Sequence, residues 1–148
     1  MTAIKFFVTF LAVLMISAVF LAPLQCGAEP AVSWQDSLKT SLPVAAETKK
    51  SIFVFLYDSS CSVCKRLESQ LFVESEVARY LGDRFVCVRL EFHHKEGAAL
   101  VKQYGIRGVP CLMVFGPDGK LRAFKSCAPN TAEEFVERVN QLDEGKSI

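Results

Sequence analysis

Two cysteines three positions apart, in the segment SSCSVCKRL (59–67), constrain this chain more than any other feature. They stand where a short apolar segment, SIFVFLY, gives way to an amphipathic one. The apolar segment is rich in β-branched and aromatic residues, which is typical of a strand buried on both faces. After it, Cys64, Leu67 and Leu71 follow the i, i+3, i+7 spacing of one helix face. The sequence therefore predicts a strand, a helix that starts near Cys61, and a buried Cys64.

A cysteine at a helix start lies among unpaired backbone N–H groups and at the positive end of the helix dipole. Both favour a thiolate, so Cys61 is predicted to be the nucleophile of a redox pair. Cys64 lies one turn later on the buried face. It is predicted to attack the mixed disulfide formed by Cys61 and so release the substrate. Lys65 and Arg66 add positive charge nearby.

The N-terminal region is typical of an export signal. Lys5 is the only charge before the apolar segment FFVTFLAVLMISAVFLA. Cys26 and Ala28 are the small residues that a signal peptidase accepts three and one positions before its cut. We therefore expect a signal peptide over residues 1–28 and a single domain over 29–148. The apolar segment is also just long enough to span a bilayer, so an uncleaved membrane anchor is the alternative, and only then would the protein meet a membrane.

Charge and cysteine content limit the partners. Without Lys5, the 17 basic residues become 16 and equal the 16 acidic ones, so no basic surface is expected and nucleic acid is excluded as a partner. Outside the cytosol, disulfides form and persist. An odd number of cysteines follows the predicted cut, which means at least one free thiol or an intermolecular bond. These are Cys61, Cys64, Cys87, Cys111 and Cys127.

The remaining segments predict the order α-β-α-β-α-β-β-α. A first helix is expected over 29–50, where apolar residues recur every four positions from Trp34. Ser75 is expected to cap a short helix, and Thr131 with Glu134 to form a capping box for the last one. Strands separated by helices imply parallel pairing, and the turn GPDG implies a hairpin. The predicted fold class is α/β, a small mixed β-sheet flanked by helices with a C-terminal β-hairpin and helix.

With these elements in place, the chain resembles the thioredoxin superfamily over residues ~33–142. A strand followed by Cys-x-x-Cys and a helix is the first signature. The segment YGIRGVPCLMVF (104–115) closely resembles the thioredoxin segment that leads into the cis-proline strand. The segment CKRLESQLFVESEVARYL is similar to exported thioredoxin-related proteins of the thiol:disulfide interchange type, whose active-site helix breaks before a short second helix. The resemblance implies a thioredoxin-like fold.

The resemblance also implies an activity and a site. The proline matching Pro110 is cis in the family and packs against the Cys-x-x-Cys, and the preceding residue, here Val109, offers its backbone to an extended substrate. The implied enzyme is an exported thiol:disulfide oxidoreductase, in a bacterial periplasm and in the reducing direction. Its substrates would be protein thiols and disulfides. It would need no cofactor or metal beyond its own dithiol, and an upstream redox partner, which could be membrane-bound, would reset the pair.

The chain departs from thioredoxins proper at three positions around the pair. Ser60 replaces the tryptophan before the first cysteine, and Phe55 replaces a buried aspartate that helps to move the proton of the second cysteine. Cys87 takes the place of the lysine that accompanies this aspartate. The proton acceptor for Cys64 therefore stays open between Asp58, Glu91 and water.

The other cysteines allow two interpretations. Counted outward from the GPDG turn, Cys111 falls opposite Lys125, two residues from Cys127. A single bulge would bring the two cysteines into register, so a structural Cys111–Cys127 disulfide is one possibility. Two free buried thiols are the other, because free cysteine behaves as a small hydrophobe. Cys87 is expected in the core.

Two further functions compete with the enzyme. Cys61 and Cys64 with His93 and His94 would suit a copper or zinc metallochaperone. Adjacent histidines on a loop point in different directions, however, so the four ligands are not expected to converge. A thioredoxin-fold binding module, whose Cys-x-x-Cys is only a structural bridge, is the remaining alternative.

Overall fold

The computed structural model describes residues 31–146, which contain five strands and five α-helices. The strands are β1 (Trp34–Gln35), β2 (Ser51–Tyr57), β3 (Phe85–Glu91), β4 (Cys111–Phe115) and β5 (Leu121–Ser126). The helices are α1 (Leu38–Thr48), α2 (Ser62–Arg66), α3 (Ser75–Arg84), α4 (Lys95–Tyr104) and α5 (Ala132–Asp143), and α2 continues as a π-helical turn over Leu67–Leu71. The predicted signal peptide over residues 1–28 lies outside the described residues, and the prediction of one domain over 29–148 stays a prediction.

The strands form one mixed sheet in the order β1-β3-β2-β4-β5. Strands β1, β3 and β2 run parallel, whereas β4 is antiparallel to β2 and β5 is antiparallel to β4. The predicted α/β class and the mixed sheet with its C-terminal hairpin are thereby confirmed. Strand β2 lies in the centre, and its residues from Ser51 to Leu56 are all buried, as its continuous apolar sequence predicted.

The helices cover both faces of the sheet, and a hydrophobic core fills each side. The first core holds Cys64 and the buried residues of α2, α3 and α5, around a cluster of aromatic rings. In this cluster Phe53 meets Phe135 edge-on with ring centroids 5.7 Å apart, and Phe72 meets Phe135 at 5.6 Å. The second core lies beneath α1 and α4. The pair Cys61–Cys64 thus belongs to the aromatic side of the sheet.

Two local predictions were wrong. Trp34 lies in the short strand β1 rather than in a first helix, because its backbone pairs with Cys87 while its ring packs 5.2 Å from Phe72. The helix begins only at Leu38, after Ser37, whose side chain accepts the Thr40 N–H. Ser75 is the first residue of α3 and not its cap.

Two other helix ends have local causes. Helix α4 is followed by Gly105, which adopts the left-handed conformation (φ 64°) that glycine tolerates. The predicted Thr131 cap of α5 is confirmed, because its side chain accepts the Glu134 N–H at 3.2 Å. The other half of the capping box is not formed, since the Glu134 carboxylate accepts the N–H of Asn130 rather than that of Thr131. Within residues 31–146, no helix has the length and apolar character needed to cross a bilayer.

Candidate active site

Cys61 occupies the junction that the sequence predicted, between β2 and α2. It is the N-cap residue of α2, and its Sγ accepts a hydrogen bond from the Cys64 N–H at 3.1 Å. Its own N–H donates to the carbonyl oxygen of Asp58 at 3.0 Å, which closes the turn before the helix. Cys61 is partly exposed. Its sulfur therefore lies where backbone donors stabilise negative charge and where a substrate sulfur can reach it.

Cys64 lies behind Cys61 and is completely buried, with none of its surface exposed. Burial, followed by a hydrogen bond to Cys61, raises the pKa of the Cys64 thiol to about 12. A backbone hydrogen bond with Asp58 acts in the opposite direction, and the negative charge of Glu68 raises this pKa a little further. Both cysteines are free thiols. The arrangement holds one accessible sulfur and one protected, protonated sulfur a single helical turn apart.

The π-helical turn anchors this pair in the core. It follows α2 directly, and its Leu67 and Leu71 are buried against the aromatic cluster. The chain then leaves the helix and restarts at Ser75. This matches the expected break between the active-site helix and a short second helix. Such π-turns recur at functional sites, because they displace one stretch of a helix relative to the next.

Val109 and Pro110 lie at the start of β4, beside the end of β2. The peptide bond between them is cis. Pro110 is buried, whereas Val109 is partly buried and contacts both cores. The pairing of Leu56 with Cys111 places the start of β4 next to the strand end that carries the cysteine pair.

The possible Cys111–Cys127 disulfide is not formed in the structure, where both residues are free thiols. A register shift in the hairpin does occur, between Val114 and Phe115, but it moves the partner of Cys111 only from Lys125 to Ser126. Because side chains alternate along a strand, Cys111 and Cys127 then point to opposite faces of the sheet. Accordingly, Cys111 lies in the second core, while Cys127 packs against the first.

Two of the three positions that depart from thioredoxins, Phe55 and Cys87, are filled by buried side chains, whereas Ser60 is exposed. Phe55 is fully buried, and its ring stacks on Tyr57 with centroids 5.9 Å apart. Cys87 is buried as predicted, and burial raises its pKa to about 12. The face of β2 beneath the pair therefore presents aromatic rings to Cys64 rather than a carboxylate.

Charged side chains around the pair come from several elements. The carboxylate of Asp58 accepts hydrogen bonds from Ser60, which lower its pKa, and it lies near His93. Glu91 accepts the His93 N–H at 2.9 Å. Sequence reasoning missed Glu68, whose charge acts on Cys64 and which pairs with Arg89 at 2.8 Å. Its position four residues after Cys64, about one helical turn, is the signal that could have found it.

The metal alternative finds no support in the arrangement of the ligands. Among the residues that the structure describes, no group of three or more His, Cys, Asp or Glu side chains is placed to hold a metal ion. His93 Nε2 instead lies 3.3 Å from Asp58 Oδ2. His94 is the N-cap residue of α4, and its side chain forms no capping hydrogen bond. Among the described residues, the four candidate ligands of a metallochaperone site therefore do not converge.

Comparisons with known proteins agree with this geometry. The family described as thioredoxin-like matches residues 33–117. Over 97 residues the chain is 30% identical to the thiol:disulfide interchange protein DsbD of Colwellia psychrerythraea (strain 34H). This match covers 63% of the present chain and 16% of that protein, so the chain spans less than a fifth of this relative's length.

Two solved structures share the fold. One is the solution structure of a Bacteroides thetaiotaomicron protein proposed as a disulphide-isomerase, with a TM-score of 0.68 and 25% identity over 82% of this chain and 100% of that chain. The other is a DsbH oxidoreductase, with a TM-score of 0.66 and 23% identity over 82% of this chain and 91% of that chain.

Proposed function

Because the chain belongs to the thioredoxin-like family, we propose that Cys61 and Cys64 are the redox pair of an exported enzyme that exchanges disulfides with other proteins. Membership of the family confirms the predicted fold and the predicted class of enzyme, a thiol:disulfide oxidoreductase. The residues, the direction, the substrates and the compartment are the content of the proposal. One observation carries it: a partly exposed Cys61 sulfur at a helix start, with the protonated Cys64 thiol buried behind it.

The reaction follows from this asymmetry. The Cys61 thiolate attacks one sulfur of a substrate disulfide, so that a mixed disulfide forms and the other substrate sulfur leaves as a thiolate. Cys64 then loses its proton and attacks the Cys61 sulfur. The Cys61–Cys64 disulfide forms, the mixed disulfide breaks, and the substrate leaves as a dithiol. Two electrons have passed from the enzyme to the substrate, and an upstream protein dithiol must return them before another cycle.

Val109 and Pro110 are the proposed substrate-binding residues. They lie at the edge of the sheet where the cysteine pair lies, and the start of a strand can offer its backbone to an extended peptide. The reducing direction is proposed on the sequence resemblance to interchange-type proteins. Export to a periplasm is proposed on the N-terminal segment with its single Lys5, apolar stretch and small residues up to Ala28.

Trapping the mixed disulfide tests the proposal. In a Cys64→Ala variant the second step cannot occur, so a disulfide-bonded protein substrate such as insulin should stay attached to Cys61 and be visible by mass on a non-reducing gel. The wild-type chain should reduce insulin faster than dithiothreitol alone, and Cys61→Ala should fall to the rate of dithiothreitol.

A matched control is Cys87→Ala, which removes a thiol that is also buried but lies outside the proposed pair. It should keep the activity and trap no substrate. The assigned pair would be ruled out if Cys61→Ala reduced insulin at the wild-type rate. It would also be ruled out if the insulin trapped by Cys64→Ala were attached to Cys87.

A further inference from the structure

Asp58 contacts more of the site than any sequence motif suggested. It is the first residue after β2, and its backbone carbonyl oxygen accepts the Cys61 N–H at 3.0 Å. The Asp58 backbone also acts on the Cys64 thiol, whose pKa it lowers. Through its main chain, Asp58 is therefore hydrogen-bonded to Cys61 and influences Cys64.

The carboxylate of Asp58 also stabilises the turn over residues 58–61. Its Oδ1 accepts the Ser60 N–H at 2.7 Å and the Ser60 hydroxyl at 2.5 Å. Only 19% of this side chain is exposed. Thioredoxins have a tryptophan where this chain has Ser60, so a bulky side chain before the nucleophile is replaced here by a small one that two hydrogen bonds tie to Asp58.

His93 contacts the other oxygen of the same carboxylate. Its Nε2 lies 3.3 Å from Asp58 Oδ2, and its backbone N–H donates to Glu91 at 2.9 Å. His93 follows β3, the strand parallel to β2, so the contact joins the loops after two neighbouring strands. Because 73% of the His93 side chain is exposed, this contact contributes little to stability. It involves Oδ2 and leaves Oδ1 to accept from Ser60.

We propose that Asp58, oriented by His93, is the positioning residue that holds the 58–61 turn so that Cys61 presents its sulfur for attack. The assignment rests on the proposed function of the pair. Disulfide exchange requires the attacking sulfur to approach the sulfur–sulfur bond along a narrow direction, and a displacement of about 1 Å can lower a rate up to about 100-fold. A turn held only by the Cys61 N–H would leave that direction free to vary.

The fold contains a matched control for Asp58. Asp118 forms the same kind of turn in the hairpin loop between β4 and β5, where its Oδ1 accepts the Lys120 N–H at 3.1 Å. Its Oδ2 also lies 3.6 Å from a cationic side chain, that of Lys120. The variants Asp58→Ala and Asp118→Ala therefore remove the same chemical group from equivalent turns, one at the cysteine pair and one away from it.

The first measurement uses the reduced full-length chain and a small neutral disulfide, 2-hydroxyethyl disulfide, so that substrate binding and charge play little part. We expect Asp58→Ala to slow the reaction of Cys61 about tenfold, and Asp58→Asn, which can still accept from Ser60, about threefold. Asp118→Ala should react at the wild-type rate. Urea unfolding of all three variants separates a positioning effect from a loss of fold.

The second measurement tests the role of His93. His93→Ala should slow the same reaction about threefold in the wild-type background and have no further effect in the Asp58→Ala background, because the two residues act through one contact. The adjacent His94→Ala is the control and should change nothing. Additive effects of His93→Ala and Asp58→Ala would overturn the proposed link between them.

The outcomes separate this inference from the proposed function. If Asp58→Ala reacts as fast as Asp118→Ala, or faster than wild type, the positioning role is wrong even when the wild-type chain reduces insulin. If the wild-type chain reduces no protein disulfide but Asp58→Ala still slows Cys61 selectively, the proposed function is wrong and the positioning role stands. With insulin as substrate, Asp58→Ala should lower kcat and leave KM unchanged, because Asp58 does not belong to the proposed peptide-binding residues.

Discussion

At the scale of single residues, the two sulfurs of the pair differ mainly in burial. Cys61 is partly exposed at a helix start, whereas Cys64 is enclosed by the core and remains protonated well above neutral pH. The Cys-x-x-Cys segment, which spans one helical turn, thus contains both an accessible nucleophile and a protected thiol. Division of labour in the proposed exchange reaction follows from this difference in environment.

Selective alkylation tests the difference directly. At pH 7.5, iodoacetamide should modify Cys61 in the reduced native chain while Cys64 and Cys87 stay unmodified, because burial raises the pKa of both these thiols to about 12 and excludes the reagent. Peptide mass spectrometry gives the site. In urea all three should react at similar rates. Modification of Cys64 at the rate of Cys61 in the native chain would contradict the structure.

Residue-level prediction succeeded where spacing along the chain was sufficient. The positions of Cys61 at a helix start and of Cys64 on its buried face both follow from periodicity within one element. Asp58 could be considered only as a proton acceptor in this way. Its contact with His93 could not be predicted, because the two residues are distant in sequence and meet only through the pairing of β2 with β3.

At the scale of elements, a glycine sets how closely α4 approaches the end of β3. A Cβ atom added at Gly97 would lie 2.0 Å from the carbonyl oxygen of Glu91, which is backbone and cannot turn aside. A Cβ added at Gly82, in α3, would have no neighbouring atom within 4 Å. The loop between β3 and α4 carries His93. Its close approach to the sheet is therefore possible only because Gly97 has no side chain.

The two glycines provide a paired stability test. Gly97→Ala should lower the free energy of unfolding by about 3 kcal/mol, the upper part of the range for overpacking, because α4 must move away from β3. Gly82→Ala should raise it by about 0.5–1 kcal/mol, since alanine restricts the unfolded chain and favours a helix. Urea denaturation measures both. Equal effects of the two substitutions would show that the close contact at Gly97 is wrong.

Helices and strands were predicted correctly where a single hydrophobic periodicity was clear. They were predicted poorly where tertiary contacts determined the secondary structure. The buried strand β2 and the Thr131 cap of α5 follow from local sequence. Trp34 also fits a helical spacing, but its pairing with β3 and its contact with Phe72 place it in a strand. The hairpin register was predicted one residue from the observed one, because a bulge cannot be located from turn residues alone.

At the scale of the whole molecule, the strand order collects the site from separate parts of the chain. Parallel β2 and β3 end at the same edge of the sheet, and antiparallel β4 begins there. The loops that carry Cys61 and His93 therefore meet, and Pro110 joins them at the start of β4. The resemblance to thioredoxins implied this meeting for Cys61 and Pro110. It implied nothing for His93, which belongs to this chain's own loop.

Buried thiols make the reduced protein less stable at alkaline pH. The pKa of Cys87 rises from 9.0 to about 12 on folding because of burial, so the folded chain keeps a proton that the unfolded chain loses. Stability is therefore complete below about pH 9 and declines as pH rises toward 12, by up to about 1.4 kcal/mol per pH unit for each such thiol.

Comparison of two variants isolates this effect. Between pH 8 and 10.5, the free energy of unfolding of reduced Cys87→Ala should fall less steeply than that of the wild-type chain, by the slope of one thiol. Urea denaturation at several pH values provides the slopes, and the lower starting stability of the variant does not affect them. Parallel slopes would mean that Cys87 is not protonated and buried as the structure places it.

The redox equilibrium of the Cys61–Cys64 pair tests the central claim most directly. The full-length chain would be equilibrated with graded ratios of oxidised to reduced dithiothreitol or glutathione. Its free thiols would then be alkylated and the products identified by mass spectrometry, with Cys61→Ala as the control. We expect a two-electron couple between about −270 and −120 mV, lost in the control, as in known exchange catalysts. A potential below about −300 mV would instead make the pair a structural bridge and contradict the assignment of an enzyme.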